Sequence, residues 1–271
     1  MRRSDRLKSK PQFSYTDRDN VYDYVFYGAE SVASNVPKCF QEIKSRPDRA
    51  EWEKAIKDEL DSLRENQTWV LVDRPKDKNI IDCKWVFAIK PDEFGNPAKY
   101  KARVVARGFS QQYLVDYNET FAPMARISSF RLLLAFANQF RLLVHHMDVK
   151  TAFLNGKLKE EIYMKVLEGV KCNSDMACKL KRSLYGLEQS ARCWFETFEK
   201  VLFEIDFKNS VEDRCVYILD KNDISKNIYV ILYVDDLVIV TKDINVMNKF
   251  KDYLANKFKM SDLGEVKLFN F

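Results

Sequence analysis

Three aspartates carry the strongest chemical signal in this sequence. Asp235 and Asp236 sit between two apolar runs, residues 229–234 and 237–241, and Asp148 closes a third run, residues 142–148. If the first two runs form a hairpin, its tip presents both carboxylates at a sheet edge, where ionised groups repel one another unless solvated or bound to a cation. Asp is also an ordinary turn residue, so the pair alone fits a simple tip. A third carboxylate from an adjoining strand changes the chemistry. Three such groups suit two Mg²⁺ ions, which prefer oxygen ligands and retain water. Ions held this way stabilise both the attacking and the leaving oxygen of an in-line phosphoryl displacement. Spacing leaves open whether the third strand lies beside the hairpin.

The elements that would position these groups are readable from periodicity. Trp52, Ala55, Ile56, Leu60 and Leu63 recur at helical spacing from Pro47 to about Asn66, with acidic residues at the start, where the helix dipole favours them. Short β-rich segments follow at 68–72 and 80–90, then a turn at 91–97 and a return strand at 99–108. On that strand Lys99, Lys101, Arg103 and Arg107 alternate with Tyr100, Ala102, Val104 and Ala106, so one face is cationic. That face reads either as a solvated side or as a phosphate-contacting strand. Ser128 or Ser129 starts a helix through Ala137. Strands are expected at 162–166, around 178–181 and at 214–219. A helix carries Trp194, Phe198, Val201, Leu202 and Ile205, and a last one runs through Val246, Phe250 and Leu254. Strands and helices mix without regular βαβ alternation, which predicts an α+β fold.

Composition narrows the function classes. The 271 residues are 46% apolar and 31% charged, with 7 Gly and 7 Pro, which excludes a disordered or collagen-like chain. Six cysteines form no C-x-x-C pair, and the two histidines, His145 and His146, are adjacent, so a closed zinc site has poor support. Scattered thiols predict an intracellular location. The basic opening is followed by no apolar run of a secretory signal, and no segment is long enough to span a membrane. Nearly all of the net charge of +5 comes from that opening, where Arg2, Arg3, Arg6, Lys8 and Lys10 face only Asp5. Residues 1–44 read as a basic and polar linker.

Eight stretches then recur in a known order: Thr68-Trp69, Lys84–Phe87, Tyr100–Phe109, Tyr117–Pro123, Met147–Gly156, Glu160–Met164, Ser183–Leu187 and Tyr233–Asp236. Together they resemble the reverse transcriptase of copia-type LTR retrotransposon Pol polyproteins, from about residue 45 onward. The resemblance implies a right-hand polymerase fold, with an antiparallel palm sheet packed on helices. Fingers would comprise 45–143 and 157–190, the latter with the template loop, and palm 144–156 and 191–271. It implies RNA-directed DNA synthesis, with Asp148, Asp235 and Asp236 catalytic. Metal would bind these aspartates and the backbone of Val149 as two Mg²⁺ ions, with Mn²⁺ as the alternative.

Further roles follow from the same resemblance. Arg103, with Lys101 and Lys99, would hold the triphosphate of an incoming dNTP; a planar guanidinium fork suits phosphate oxygens. Phe153 resembles the ring that excludes a ribose 2′-hydroxyl, with core packing as its other role. Tyr185 and Gly186 resemble the loop against template and nascent pair. Partners would be an RNA or DNA template with primer, dNTPs and other parts of the polyprotein, without a membrane. The implied setting is cytoplasmic virus-like particles, with nuclear entry. Glu188 stands where the family has lysine and Leu167 where it has proline. The resemblance breaks off at Leu268–Phe271, which predicts a fragment without primer grip, thumb and ribonuclease H. A decayed copy that binds nucleic acid without catalysis is the alternative. Lys259 and Lys267 are the candidates for a general acid toward pyrophosphate.

Overall fold

The computed structural model describes residues 36–266 apart from 92–96, 174 and 225. The basic opening, the centre of the 91–97 turn, Lys267 and the last four residues lie outside the described residues. The chain divides into two compact units, residues 1–56 with 85–103, and residues 57–84 with 104–271.

The first unit is organised by aromatic packing. Helix α1 (Arg49–Glu65) begins in it and places Trp52, fully buried, edge-on against Phe87 and Tyr100 with ring centroids 5.4 and 4.7 Å away. The expected linker gives way to packed structure before residue 45: residues Phe40–Ser45 form a 3₁₀ helix that buries Ile43, and Phe40 stacks on Trp85.

The second unit contains two sheets. Strands β1 (Trp69–Asp73) and β2 (Ile80–Ile81) belong to the first of these. Strands β3 (Cys83–Pro91) and β4 (Pro97–Ala106) form a separate hairpin sheet that crosses the boundary between units. The single run expected at 80–90 is therefore two strands in two sheets. Asp82 makes the break: its Oδ1 accepts from the Cys83 amide at 2.9 Å and its carbonyl from the Arg107 amide at 2.8 Å. Along β4 the expected alternation holds through Val104 and then fails. Val105, on the cationic face, is buried, and Arg107 lies beyond the strand.

Helix α2 (Ile127–Phe140) leads into β5 (Leu143–Val149), and a single turn, α3 (Ala152–Asn155), follows. Strands β6 (Tyr163–Lys165) and β7 (Met176–Leu180) complete a four-stranded sheet ordered β1-β7-β6-β2. Helix α4 (Ser190–Phe203) precedes β8 (Lys208–Asn209), β9 (Val216–Leu219), β10 (Ile228–Tyr233) and β11 (Asp236–Thr241). Helix α5 (Ile244–Lys257) and β12 (Met260–Glu265) end the described chain. The second sheet has six strands, ordered β12-β5-β11-β10-β9-β8, and every pairing in it is antiparallel. Leu237 to Val240 are all buried, which requires cover on both faces. Phe130 and Leu133 of α2, Trp194, Phe198 and Leu202 of α4, and Met247, Phe250 and Leu254 of α5 share one core with that sheet. The mixture of helices and antiparallel strands is α+β, as expected.

Three helices end alike. Gln67, Arg141 and Asp206 adopt positive φ of 50°, 53° and 68°, and the residue after each donates to a carbonyl five positions back, from Thr68 to Leu63, Leu142 to Ala137 and Phe207 to Leu202. This paired-bond ending normally recruits glycine, because a Cβ is costly in the left-handed region. Here three side-chain-bearing residues occupy it.

Candidate active site

Alternation along β5 sorts its side chains onto two faces. His146 and Asp148 share one; His145 points to the other, where its Nδ1 lies 2.7 Å from Lys251 Nζ of α5. Strand β11 pairs with β5 so that Asp236 stands directly opposite Asp148. The adjacency that spacing left open is thus established. Like charges directly opposite are destabilising unless a cation or donor offsets them. One donor is present: His146 Nε2 lies 2.7 Å from Asp236 Oδ1. A carboxylate only accepts, so this nitrogen carries the proton.

The turn between β10 and β11 consists of Val234 and Asp235, with Tyr233 paired to Asp236. Val234 has φ +56°, a costly conformation for a β-branched residue. Two bonds pin it. The Trp194 indole N–H donates to the Val234 carbonyl at 2.6 Å, and the Val149 amide donates to the Asp235 carbonyl at 2.8 Å. Because Trp194 is buried in α4 and Val149 in β5, the core itself fixes the turn that bears Asp235. Asp148, Asp235 and Asp236 are all partly exposed. Among the described residues, no group of three Asp, Glu, His or Cys side chains is gathered closely enough to hold a metal. The carboxylate donors present are all oxygen, two on directly paired residues of β5 and β11 and the third on the adjoining turn. That set fits a hard divalent cation.

Phe153, on α3, packs edge-on against Tyr185 with centroids 4.7 Å apart. Tyr185 and Gly186 lie against the end of β4: the Ala106 amide donates to the Tyr185 carbonyl at 2.8 Å and the Gly108 amide to the Gly186 carbonyl at 3.1 Å. The approach leaves no room for side chains. A Cβ on Gly186 would stand 2.0 Å from the Ala106 oxygen, and one on Gly108 2.0 Å from the Gly186 oxygen. Behind this loop the buried Gln189 donates to the Asp116 carbonyl and accepts from Gln111, whose oxygen accepts from the Glu188 amide.

The second unit therefore brings together Asp148, Asp236 and the turn bearing Asp235, and separately Phe153 with Tyr185. Lys99, exposed, and Lys101 and Arg103, partly exposed, belong to the first unit. Lys259 pairs with Glu65 at 3.0 Å. Two positioning residues escaped the sequence reading, His146 and Trp194. His146 was signalled by its place two residues before Asp148 on the same strand; Trp194 carried no signal beyond its place in an apolar stripe.

Comparison with known proteins accords with this geometry. Residues 66–270 match the model of the family described as reverse transcriptase (RNA-dependent DNA polymerase). The chain is 41% identical over 232 residues to the retrovirus-related Pol polyprotein from transposon TNT 1-94 of Nicotiana tabacum, covering 84% of this chain and 17% of that protein. It is 34% identical over 221 residues to the Pol polyprotein from transposon RE1 of Arabidopsis thaliana, covering 80% and 15%. A more distant relative is the transposon Ty1-NL2 Gag-Pol polyprotein of Saccharomyces cerevisiae, 28% identical over 232 residues, covering 82% and 12%. The chain thus spans about a sixth of the first two polyproteins. No helix among the described residues is long and apolar enough to cross a membrane. With its family-specific region running through both the paired aspartates and the glycine-locked loop, this chain belongs to the reverse transcriptase family, as a segment of the kind found in the Pol polyproteins of copia-type retrotransposons.

Proposed function

We propose that this chain is the catalytic segment of an RNA-directed DNA polymerase, transferring deoxynucleotidyl units from dNTPs to a primer 3′-hydroxyl on an RNA or DNA template. The observation that carries the proposal is the direct opposition of Asp148 and Asp236 beside a turn whose carbonyls are held by Trp194 and Val149. Two Mg²⁺ ions bound by Asp148, Asp235, Asp236 and the Val149 carbonyl would supply charge neutralisation at the α-phosphate and a lowered pKa for the attacking hydroxyl. Mn²⁺ satisfies the same oxygen donors. The chain's own residues do the rest. His146 orients the Asp236 carboxylate, and the pinned turn keeps Asp235 from swinging away as charge develops.

In this reading the six-stranded sheet with its helices is the palm and the β3–β4 hairpin belongs to the fingers of a right-hand fold. Arg103, Lys101 and Lys99 contact the triphosphate, with the guanidinium taking two oxygens at once. Phe153, set by its contact with Tyr185, bars a ribose 2′-hydroxyl, and Tyr185-Gly186 supports the template base. The reaction takes place in intracellular particles. The test is Mg²⁺-dependent extension of a primed RNA template by the purified chain. Extension that is abolished in Asp148→Asn supports the reading, and a folded chain that binds template-primer without extending it overturns catalysis in favour of binding alone.

A further inference from the structure

Thr68-Trp69 is a family motif with no part in the site described above. Trp69 opens β1, the edge strand of the four-stranded sheet, just after the left-handed ending of α1 at Gln67. The other three tryptophans, Trp52, Trp85 and Trp194, are buried. Trp69 is partly exposed, and its ring has no aromatic partner among the described residues. It lines a cavity of about 460 Å³ together with Leu63, Val70, Arg64, Lys171 and Lys181. No carboxylate lines this cavity. Arg64 pairs with Asp61 at the rim, whereas Lys171 and Lys181 are exposed and have no ion pair among the described residues.

A lining that combines an indole, apolar side chains and two lysines, with no carboxylate among its residues, matches a planar base joined to a phosphate. Base–indole stacking is sequence-tolerant and needs an unpaired base, because pairing and stacking within a duplex hide the faces. We infer that the Trp69 cavity is a second nucleotide-binding subsite, on a different sheet from the aspartates, in which an unpaired base stacks on Trp69 and its phosphate meets Lys171 and Lys181. The inference rests on the reading of this chain as a nucleic-acid enzyme and adds a place where unpaired template, or a free nucleotide, is held away from the reacting centre.

Because Trp69 is the one tryptophan that is not buried, its intrinsic fluorescence reports the subsite. The full chain is titrated with a short oligothymidylate, with free dTMP and with a blunt DNA duplex. The expected result is saturable quenching by the oligonucleotide and not by the duplex, with binding that weakens as salt rises by a log–log slope of about −0.7 per phosphate contacted. Quenching by dTMP at comparable concentration assigns the subsite to free nucleotides; quenching by the oligonucleotide alone assigns it to a strand. Lys171→Glu with Lys181→Glu should weaken binding roughly tenfold or more through lost phosphate contacts, and Trp69→Leu should remove the signal. Absence of quenching, or quenching unchanged in the lysine variant, overturns the inference. Asp148→Asn should quench as the parent does. A chain that extends primers without Trp69 quenching defeats the subsite alone, and one that quenches without extending defeats the proposed catalysis alone.

Discussion

His146 holds Asp236: the imidazole Nε2 lies 2.7 Å from the carboxylate Oδ1, a diagonal contact across the β5–β11 pair in which Asp236 stands opposite Asp148. The bond leaves Asp236 with a fixed orientation next to a like charge. Removing it should loosen a group that acts through position. His146→Ala is expected to lower extension and apparent Mg²⁺ affinity about 10- to 100-fold, the range for groups that orient metal ligands. His146→Gln, which keeps an N–H donor, should recover much of the loss. Initial rates across a magnesium titration check both, and equal rates in parent and His146→Ala would remove His146 from the account.

Gly186 is the tightest backbone contact in the loop that carries Tyr185. Its φ is +90°, and the Cβ of any other residue would stand 2.0 Å from the Ala106 oxygen. Gly186→Ala should destabilise the chain by more than about 2 kcal/mol, combining backbone strain with a clash that only a shift of β4 can relieve. Urea unfolding followed by circular dichroism measures it.

Arg141 ends α2 in the left-handed region at φ +53° with an exposed side chain. Glycine adopts this conformation without the Cβ penalty. Arg141→Gly should therefore stabilise the protein by about 1 kcal/mol, against the usual effect of glycine. The readout is an increase in the urea midpoint at constant slope.

On the face of β5 away from the aspartates, Lys251 Nζ lies 2.7 Å from His145 Nδ1 and 2.7 and 2.9 Å from the two Asp262 oxygens. Burial and the Lys251 charge lower the His145 pKa from its ordinary value of 6.5, outweighing Asp262 and Glu265, which raise it. The unfolded chain therefore takes up this proton first. Its contribution to stability is present above pH 6.5 and is lost as pH falls below it. Unfolding free energies between pH 7.5 and 5.5 should decline more steeply for the parent than for His145→Gln.

Much of this architecture was legible because its core strands and helices are strongly periodic. Val230 to Leu232 and Leu237 to Val240 announced a buried hairpin, and the stripe from Trp194 to Leu202 announced α4. The three aspartates were legible as chemistry, and the register that sets Asp148 opposite Asp236 follows from the hairpin's pairing with β5. Other features left little local trace. Strand β12 has a mixed composition and a register shift between Asp262 and Gly264; its place comes from pairing with β5. Asp82 split one apparent strand by accepting from the neighbouring Cys83 amide and from the distant Arg107 amide. The tight turn at Val234 and the helix endings at Gln67, Arg141 and Asp206 lack the glycine that normally marks such places, because tertiary contacts impose the backbone there.

The most direct test of the central claim is incorporation of one deoxynucleotide on a primed RNA template, comparing the parent with Asp148→Asn, Asp235→Asn and Asp236→Asn, all shown to be folded. If the paired aspartates and their turn form the reacting centre, the parent extends the primer only with Mg²⁺ or Mn²⁺, and each substitution abolishes or severely lowers the rate. Extension by Asp148→Asn at the parent's rate would contradict the account.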